Sequence, residues 1–189
     1  MAPLIFATGN NLKFITALHT CQKHGIELAQ RKADIPEIQS EDPEVVALNK
    51  AAGAYELFKS PVVITDDSWA MSGLRGFPSV YMHSINAWFT PEDFLRLTLP
   101  LEDRRVTLTQ YLVYADGKQQ KVFSRHIPGT LLKEIRGTSE FPNHTITSLE
   151  GDNGLSIAEV TANPNHDHST RRSAEIWHDF LAWYVDTIK

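Results

Sequence analysis

Two adjacent carboxylates and a hydroxyl, Asp66-Asp67-Ser68, follow directly on the apolar run Pro61-Val62-Val63-Ile64 and Thr65. A short β-branched run has the length and composition of a buried strand. Acids delivered to the C-terminal end of such a strand stand where open α/β sheets place their ligands. Paired there, they suit a hard divalent cation or the activation of a water molecule. The same residues also describe an aspartate-rich turn that ends the strand, and this stretch alone leaves both readings open.

A second constellation is Thr8-Gly9-Asn10-Asn11-Leu12-Lys13. Placed between a strand end and a helix start, its glycine permits a sharp turn, and helix N–H groups beyond it are suited to an anion. Thr8 and Asn10 add side-chain donors, and Lys13 lies one turn beyond Asn10 on the same face. The result is a phosphate cradle, shorter than a Walker loop. A plain strand-to-helix connection with an exposed lysine is the alternative. A third group is acidic: Glu37, Glu41, Asp42 and Glu44, with Lys50 further on. Acids at a helix N-terminus are favourable without any function. In the functional reading, Glu41 joins Asp66 and Asp67 around magnesium while Lys50 touches a phosphate. The tail His166-Asp167-His168-Ser169-Thr170-Arg171-Arg172 has two histidines but no convincing further zinc ligands, so it reads as a turn before a helix. Arg171 or Arg172 could donate to an anion or a base carbonyl.

These residues need elements to hold them. Leu4 to Thr8 reads as a strand. Asn10 to about His24 reads as a helix whose apolar face is Leu12, Ile15, Leu18 and Cys21. Gly25 stops it, and Ile26 to Ala29 forms a second strand. Asp42-Pro43-Glu44 caps a helix running to about Phe58, and the strand to Ile64 follows. This β-α-β-α-β succession favours parallel pairing. The middle changes character. Gly73 to Pro78 is a loop. Thr90-Pro91-Glu92-Asp93 is a capping box opening a helix to about Leu97. Val106–Tyr114 and Lys121–Ile127 make a hairpin around Asp116-Gly117. Ser169 to Ile188 is a final helix with Ile176, Phe180, Trp183 and Ile188 near one face. The expected architecture is an α/β body with a mixed sheet flanked by helices, plus an antiparallel lobe and a cleft between them, all within one domain of 189 residues.

Composition narrows the classes. A hydrophobic content of 42% and a charged content of 22% are those of an ordinary globular protein. No apolar run approaches the roughly 20 residues of a membrane span. The start, Met1-Ala2-Pro3-Leu4, has no signal-peptide character, and the single cysteine, Cys21, fits a reducing cytosol and a packed thiol. A net charge of −5 argues against a general nucleic-acid surface. A few local cations and a metal would still suffice to bind phosphates.

Together, Thr8-Gly9-Asn10 with Lys13, Pro36-Glu37-Ile38-Gln39-Ser40-Glu41, Lys50, Asp66-Asp67-Ser68 and Gly76-Phe77-Pro78-Ser79-Val80-Tyr81 form a specific combination. It resembles the inosine triphosphate pyrophosphatase family of non-standard purine nucleotide hydrolases. Order and spacing agree over roughly the first 85 residues, with weaker counterparts at Pro128-Gly129-Thr130, Ala158-Glu159-Val160 and Ser169-Thr170-Arg171. The resemblance implies an elongated two-lobed α/β fold, usually dimeric, and the expected location is cytoplasmic. It also implies Mg²⁺-dependent cleavage of a nucleoside triphosphate to monophosphate and pyrophosphate. Thr8, Gly9, Asn10, Asn11, Lys13, Lys50 and Ser68 would hold the phosphates. Glu41 and Asp67 would position the metal, with Asp66 as an additional candidate. Asp67, with Asp66 and Lys13, would act on the attacking water and the developing charge.

The base-binding half departs from the family pattern. Where the family carries a glycine- and aromatic-rich segment ending in Asp-Pro, this chain has Glu140-Phe141-Pro142-Asn143-His144-Thr145. Phe141 remains available to stack on a base, but His144 replaces the acid. Thr170 stands where the family has histidine beside Arg171, and Trp69 follows Asp-Asp-Ser where the family has glycine. The expectation is a triphosphate pyrophosphohydrolase with altered base preference. The competing readings are a metal-dependent nucleotide phosphomonoesterase, if Trp69 shortens the phosphate pocket, and a nucleotide-binding relative without turnover.

Overall fold

In the computed structural model, which describes residues 3–163 and 172–188, short apolar runs bounded by glycine, proline and capping residues become the secondary structure. Strand β1 (Leu4–Ala7) leads into helix α1 (Asn11–Lys23), then β2 (Leu28–Arg31), α2 (Pro43–Phe58) and β3 (Val62–Met71). A short β4 (Pro78–Ser79) is followed by α3 (Met82–Trp88) and α4 (Pro91–Thr98). The hairpin strands β5 (Arg105–Ala115) and β6 (Gln120–Leu131) precede β7 (Thr147–Leu149), α5 (Ile157–Ala162) and α6 (Arg172–Thr187). The strands form one mixed sheet in the order β2-β1-β3-β5-β6-β7, with β4 paired to β3. β1 is parallel to β2 and β3, as helical crossovers require. β4 is antiparallel to β3, and β7 to β6.

The chain divides into two compact units. The first comprises Met1–Asp66, Gln110–Arg125 and Asp167–Lys189; the second comprises Asp67–Thr109 and His126–His166. In the first unit, α1 and α6 cover Leu4, Phe6, Val63 and Leu112 on one side of the strands. Ala47, Ala51 and Ala54 of α2 cover Val62, Ile64 and Val113 on the other. The small alanines let the helix approach the sheet closely. The second unit has its own core of Trp69, Met71, Met82, Phe94, Val106, Leu131 and Ile146. Within it Arg104 acts as a clasp. Its guanidinium donates to the carbonyls of Leu131 at 2.8 Å, Thr98 at 2.7 Å and Leu132 at 2.5 Å.

The capping signals are realised. Asp42 accepts from the N–H groups of Glu44 and Val45 at the start of α2. Thr90 and Asp93 form a reciprocal capping box on α4. Ile176 and Phe180 of α6 are buried, with Trp183 and Ile188 packed against the same core.

Three local expectations are corrected. The buried face of α1 is Thr16, Ala17, Thr20 and Cys21 flanked by Phe14 and Leu18, and Ile15 is exposed. Positions 14, 17, 18 and 21 satisfy the helical period better than 12, 15, 18 and 21 once small and polar residues are admitted to the face. Strand β2 starts at Leu28, because Gly25 takes a φ of +64° beyond the helix end and Ile26 turns into the core first. Most consequentially, β3 does not end at Ile64 but runs on through Asp66, Asp67 and Ser68 to Met71.

Candidate functional site

The loop from Thr8 to Lys13 is built from its own side chains. Thr8 Oγ1 accepts from the Asn10 N–H at 3.1 Å. Asn10 is the N-cap of α1, and its Oδ1 accepts from the N–H groups of Leu12 at 2.9 Å and Lys13 at 3.0 Å. The backbone donors expected to face an anion are therefore partly used by the cap. Asn10 serves the helix through its oxygen, which leaves the amide NH₂ as its donor end. From the end of β2, Gln30 Nε2 donates to the Thr8 carbonyl at 3.2 Å and to Asn11 Oδ1 at 3.3 Å. Gly9 has no atom within 4 Å of where a β-carbon would stand, and its φ is not in the left-handed range. Neither packing nor backbone strain demands glycine there. What the missing side chain supplies is open space directly beside Asn10 and Asn11.

The acids of β3 are strand residues, so successive side chains face opposite sides of the sheet. Asp66 shares its parity with Val62 and Ile64, the face covered by α2, and Lys50 of α2 meets it there at 3.7 Å. Lys50 Nζ also binds Glu37 Oε1 at 2.6 Å. A single ammonium thus stands between two carboxylates, one from the segment before α2 and one from β3. Asp67 has the parity of Val63 and Trp69, on the other face. Thr65 Oγ1 is buried without a hydrogen-bond partner, and Ser68 Oγ lies 3.5 Å from Ser79 Oγ. The carboxylates are consequently separate tools rather than one chelating pair.

Among the described residues, no three His, Cys, Asp or Glu side chains form a group able to hold a metal by themselves. Each available acid, Asp66 on one face of β3, Asp67 on the other, and Glu37 and Glu41 ahead of α2, offers hard carboxylate oxygens. That donor set fits magnesium, which commonly takes one or two carboxylates and completes its shell with phosphate oxygens and water.

In the second unit, Phe141 precedes a single 3₁₀ turn (Pro142–Thr145). The His144 ring lies 5.0 Å from Phe141 and 6.2 Å from the Trp69 ring. Trp69 is 6% exposed and belongs to this unit's core. The ring expected to crowd the acids is a packing residue and one wall of an aromatic layer. Asn143 is fully buried, with its N–H accepted by Asn86 Oδ1 at 3.3 Å. Thr170 and Arg171, with His166 and His168, lie outside the described residues.

Two relationships were not legible beforehand. Gln30 carries no motif signal, because an amide at a strand end is unremarkable until its partners are known. Glu37 was visible as one acid among several, but Lys50 selects it through space. Cys21 is fully buried, and burial pushes its thiol up to about 12, so it is a packing residue.

A mixed α/β sheet with a donor-lined glycine loop at the end of its first strand and strand-borne acids defines a phosphate-directed nucleotide enzyme class. The chain belongs to the Ham1 family, whose model matches residues 4–176. It is 28% identical to a dITP/XTP pyrophosphatase of Saccharolobus solfataricus, over 95% of this chain and 93% of that protein. It is 31% identical to one from Pyrococcus horikoshii, over 90% of this chain and 91% of that protein. Among solved structures, a HAM1 protein from Coxiella burnetii shares the fold with a TM-score of 0.76 at 15% identity. That alignment covers 99% of this chain and 100% of the other.

Proposed function

We propose that the chain is a nucleoside triphosphate pyrophosphohydrolase that releases pyrophosphate and a nucleoside monophosphate from a purine nucleotide with an altered base. The carrying observation is the Thr8–Lys13 loop: its asparagine oxygens are engaged by the protein, and its glycine leaves room for a ligand. The names borne by full-length relatives, dITP/XTP pyrophosphatase, support the same reaction.

In this reading Thr8, Gly9, Asn10, Asn11, Lys13, Lys50 and Ser68 bind the triphosphate. Lys13 neutralises charge that grows on the phosphate oxygens as water adds in line. Asp67 orients and deprotonates that water, and Asp66 holds Lys50 in place through their ion pair. Asp67 and Glu41 would hold Mg²⁺, which would supply Lewis-acid polarisation of the phosphate.

Phe141 and His144 read the base, with Thr170 and Arg171 as further contacts. His144 in place of an acid removes one hydrogen-bonding option at the purine edge and substitutes an aromatic face. This motivates a base preference shifted from plain inosine triphosphate. A homodimer in the cytoplasm is the proposed working state of the enzyme.

The test is a hydrolysis screen with Mg²⁺ in which pyrophosphate and orthophosphate are measured separately, run beside Asp67→Asn. Pyrophosphate release that falls by about a hundredfold or more in the variant is the expected result. Orthophosphate as the first product, or turnover indifferent to Asp67, would overturn it.

A further inference from the structure

The donor sense of the Thr8–Lys13 loop is set by a residue outside it. The Thr8 carbonyl can only accept a hydrogen bond, and Gln30 reaches it at 3.2 Å, so the end of Gln30 facing the loop is its NH₂ group. The same nitrogen lies 3.3 Å from the Asn11 side chain. A donor on one side requires an acceptor on the other, and Asn11 accordingly presents its oxygen to Gln30. Its own NH₂ is thereby turned away from β2. Asn10 is oriented by the same logic, because Oδ1 accepts from Leu12 and Lys13. Two neighbouring amides, each of which could present either end, are thus both committed to donating.

We propose that Gln30 is a positioning residue for triphosphate binding: it holds Asn11 with its amide nitrogen toward the phosphates and its oxygen away from them. This rests on the reading of the loop as the phosphate site. An unheld asparagine amide rotates by half a turn at little cost, since its two ends are nearly the same size. Presented the wrong way, it would set an oxygen against an anion. Gln30 removes that state before the ligand arrives, which favours binding through preorganisation rather than through any contact of its own.

The chemistry predicts different results from two nearly isosteric changes. Gln30→Met removes the donor and leaves Asn11 free to turn. Gln30→Glu replaces the donor by an acceptor, so Asn11 is drawn to offer NH₂ to the carboxylate and oxygen to the ligand. The experiment measures kcat and KM for the best triphosphate substrate in Gln30→Met, Gln30→Glu, Asn11→Ala, Lys13→Ala and the double variant Gln30→Met/Asn11→Ala. Thermal midpoints confirm that each variant is folded.

Gln30→Met and Asn11→Ala should each raise KM about fivefold to tenfold with kcat nearly unchanged. The double variant should be no worse than the worse single, because Gln30 acts only through Asn11. Gln30→Glu should exceed Gln30→Met. KM effects of Gln30→Met and Asn11→Ala that multiply, or a Gln30→Met variant with normal KM beside an impaired Asn11→Ala, would overturn the positioning role alone. Normal KM in both Asn11→Ala and Lys13→Ala would overturn the phosphate-loop reading itself, and Gln30's role with it.

Discussion

Lys50 Nζ lies 3.7 Å from Asp66 Oδ1, an ion pair that ties helix α2 to strand β3. With Glu37 on its other side at 2.6 Å, the ammonium is held from two directions. Half-exposed pairs of this kind are worth only about 0–1 kcal/mol in stability. The arrangement therefore matters chiefly for where the charge stands. Lys50→Met should lower kcat/KM on the order of a hundredfold with little change in thermal midpoint. Glu37→Gln should cost less, roughly fivefold, since Asp66 still holds the lysine. Steady-state pyrophosphate release together with thermal melts separates the two effects.

Gly9 offers a cleaner separation of fold from ligand. Its surroundings accept a β-carbon and its backbone is not in the left-handed region. Gly9→Ala should leave the thermal midpoint within about 3 °C of the parent, a change of roughly 1 kcal/mol or less. It should nevertheless raise KM for the triphosphate about tenfold by occupying ligand space. Gly117→Ala is the control with the opposite pattern. Its φ is +82° and an added β-carbon would meet the Tyr55 ring, so stability should fall while the KM of the folded fraction holds.

Phe141, 5.0 Å from His144, tests base recognition. Aromatic stacking contributes about 1 kcal/mol beyond burial, so Phe141→Ala should raise KM roughly fivefold. If Phe141 stacks on the base, Phe141→Ala should also narrow the spread of kcat/KM across a panel of purine triphosphates. A uniform loss in kcat without any change in that spread would point to packing instead.

Arg104 has three backbone carbonyls as close partners, and burial lowers its tendency to hold the proton. Arg104→Met should destabilise the protein by about 2–3 kcal/mol, because half-buried carbonyls lose charge-assisted bonds. In a chain of this size that is a fall of about 5–10 °C in midpoint, read by calorimetry.

Asp103 supplies a pH-dependent signature. Hydrogen bonds from the Arg105 side chain and N–H hold its carboxyl at about 2, below the ordinary 3.8. A depressed folded-state value means a stabilising contribution present above 3.8 and lost as pH falls through about 2. The urea midpoint of Asp103→Asn should lie below that of the parent near neutral pH. The two should converge as pH approaches about 2.

Much of the local structure was legible because it is chemically self-contained. Asp42-Pro43 and the Thr90–Asp93 box announce helix starts by residues that bond their own backbone. The α1 face departs from the hydrophobic pattern because Thr16 and Thr20 are buried polar positions, satisfied by bonding back to Leu12 and Thr16 carbonyls. Hydrophobicity alone cannot register that. The end of β3 was misplaced for a related reason: Thr65-Asp66-Asp67-Ser68 has the composition of a turn, yet sheet pairing on either side keeps it extended. Asp66's link to Lys50 follows from that extension, which turn-like composition does not reveal. The Gln30 contact spans 22 positions along the chain and exists only because β1 and β2 lie in register.

The two compact units are threaded through one another along the chain: the first is assembled from three stretches of sequence and the second from two. No exchange of a single continuous piece of coding sequence can replace one and leave the other whole. A gene of this kind cannot exchange one whole unit by recombination of a single segment, as a protein of tandem domains can. Each unit must therefore change by substitution in place, residue by residue, while the chain that builds it keeps passing through the other.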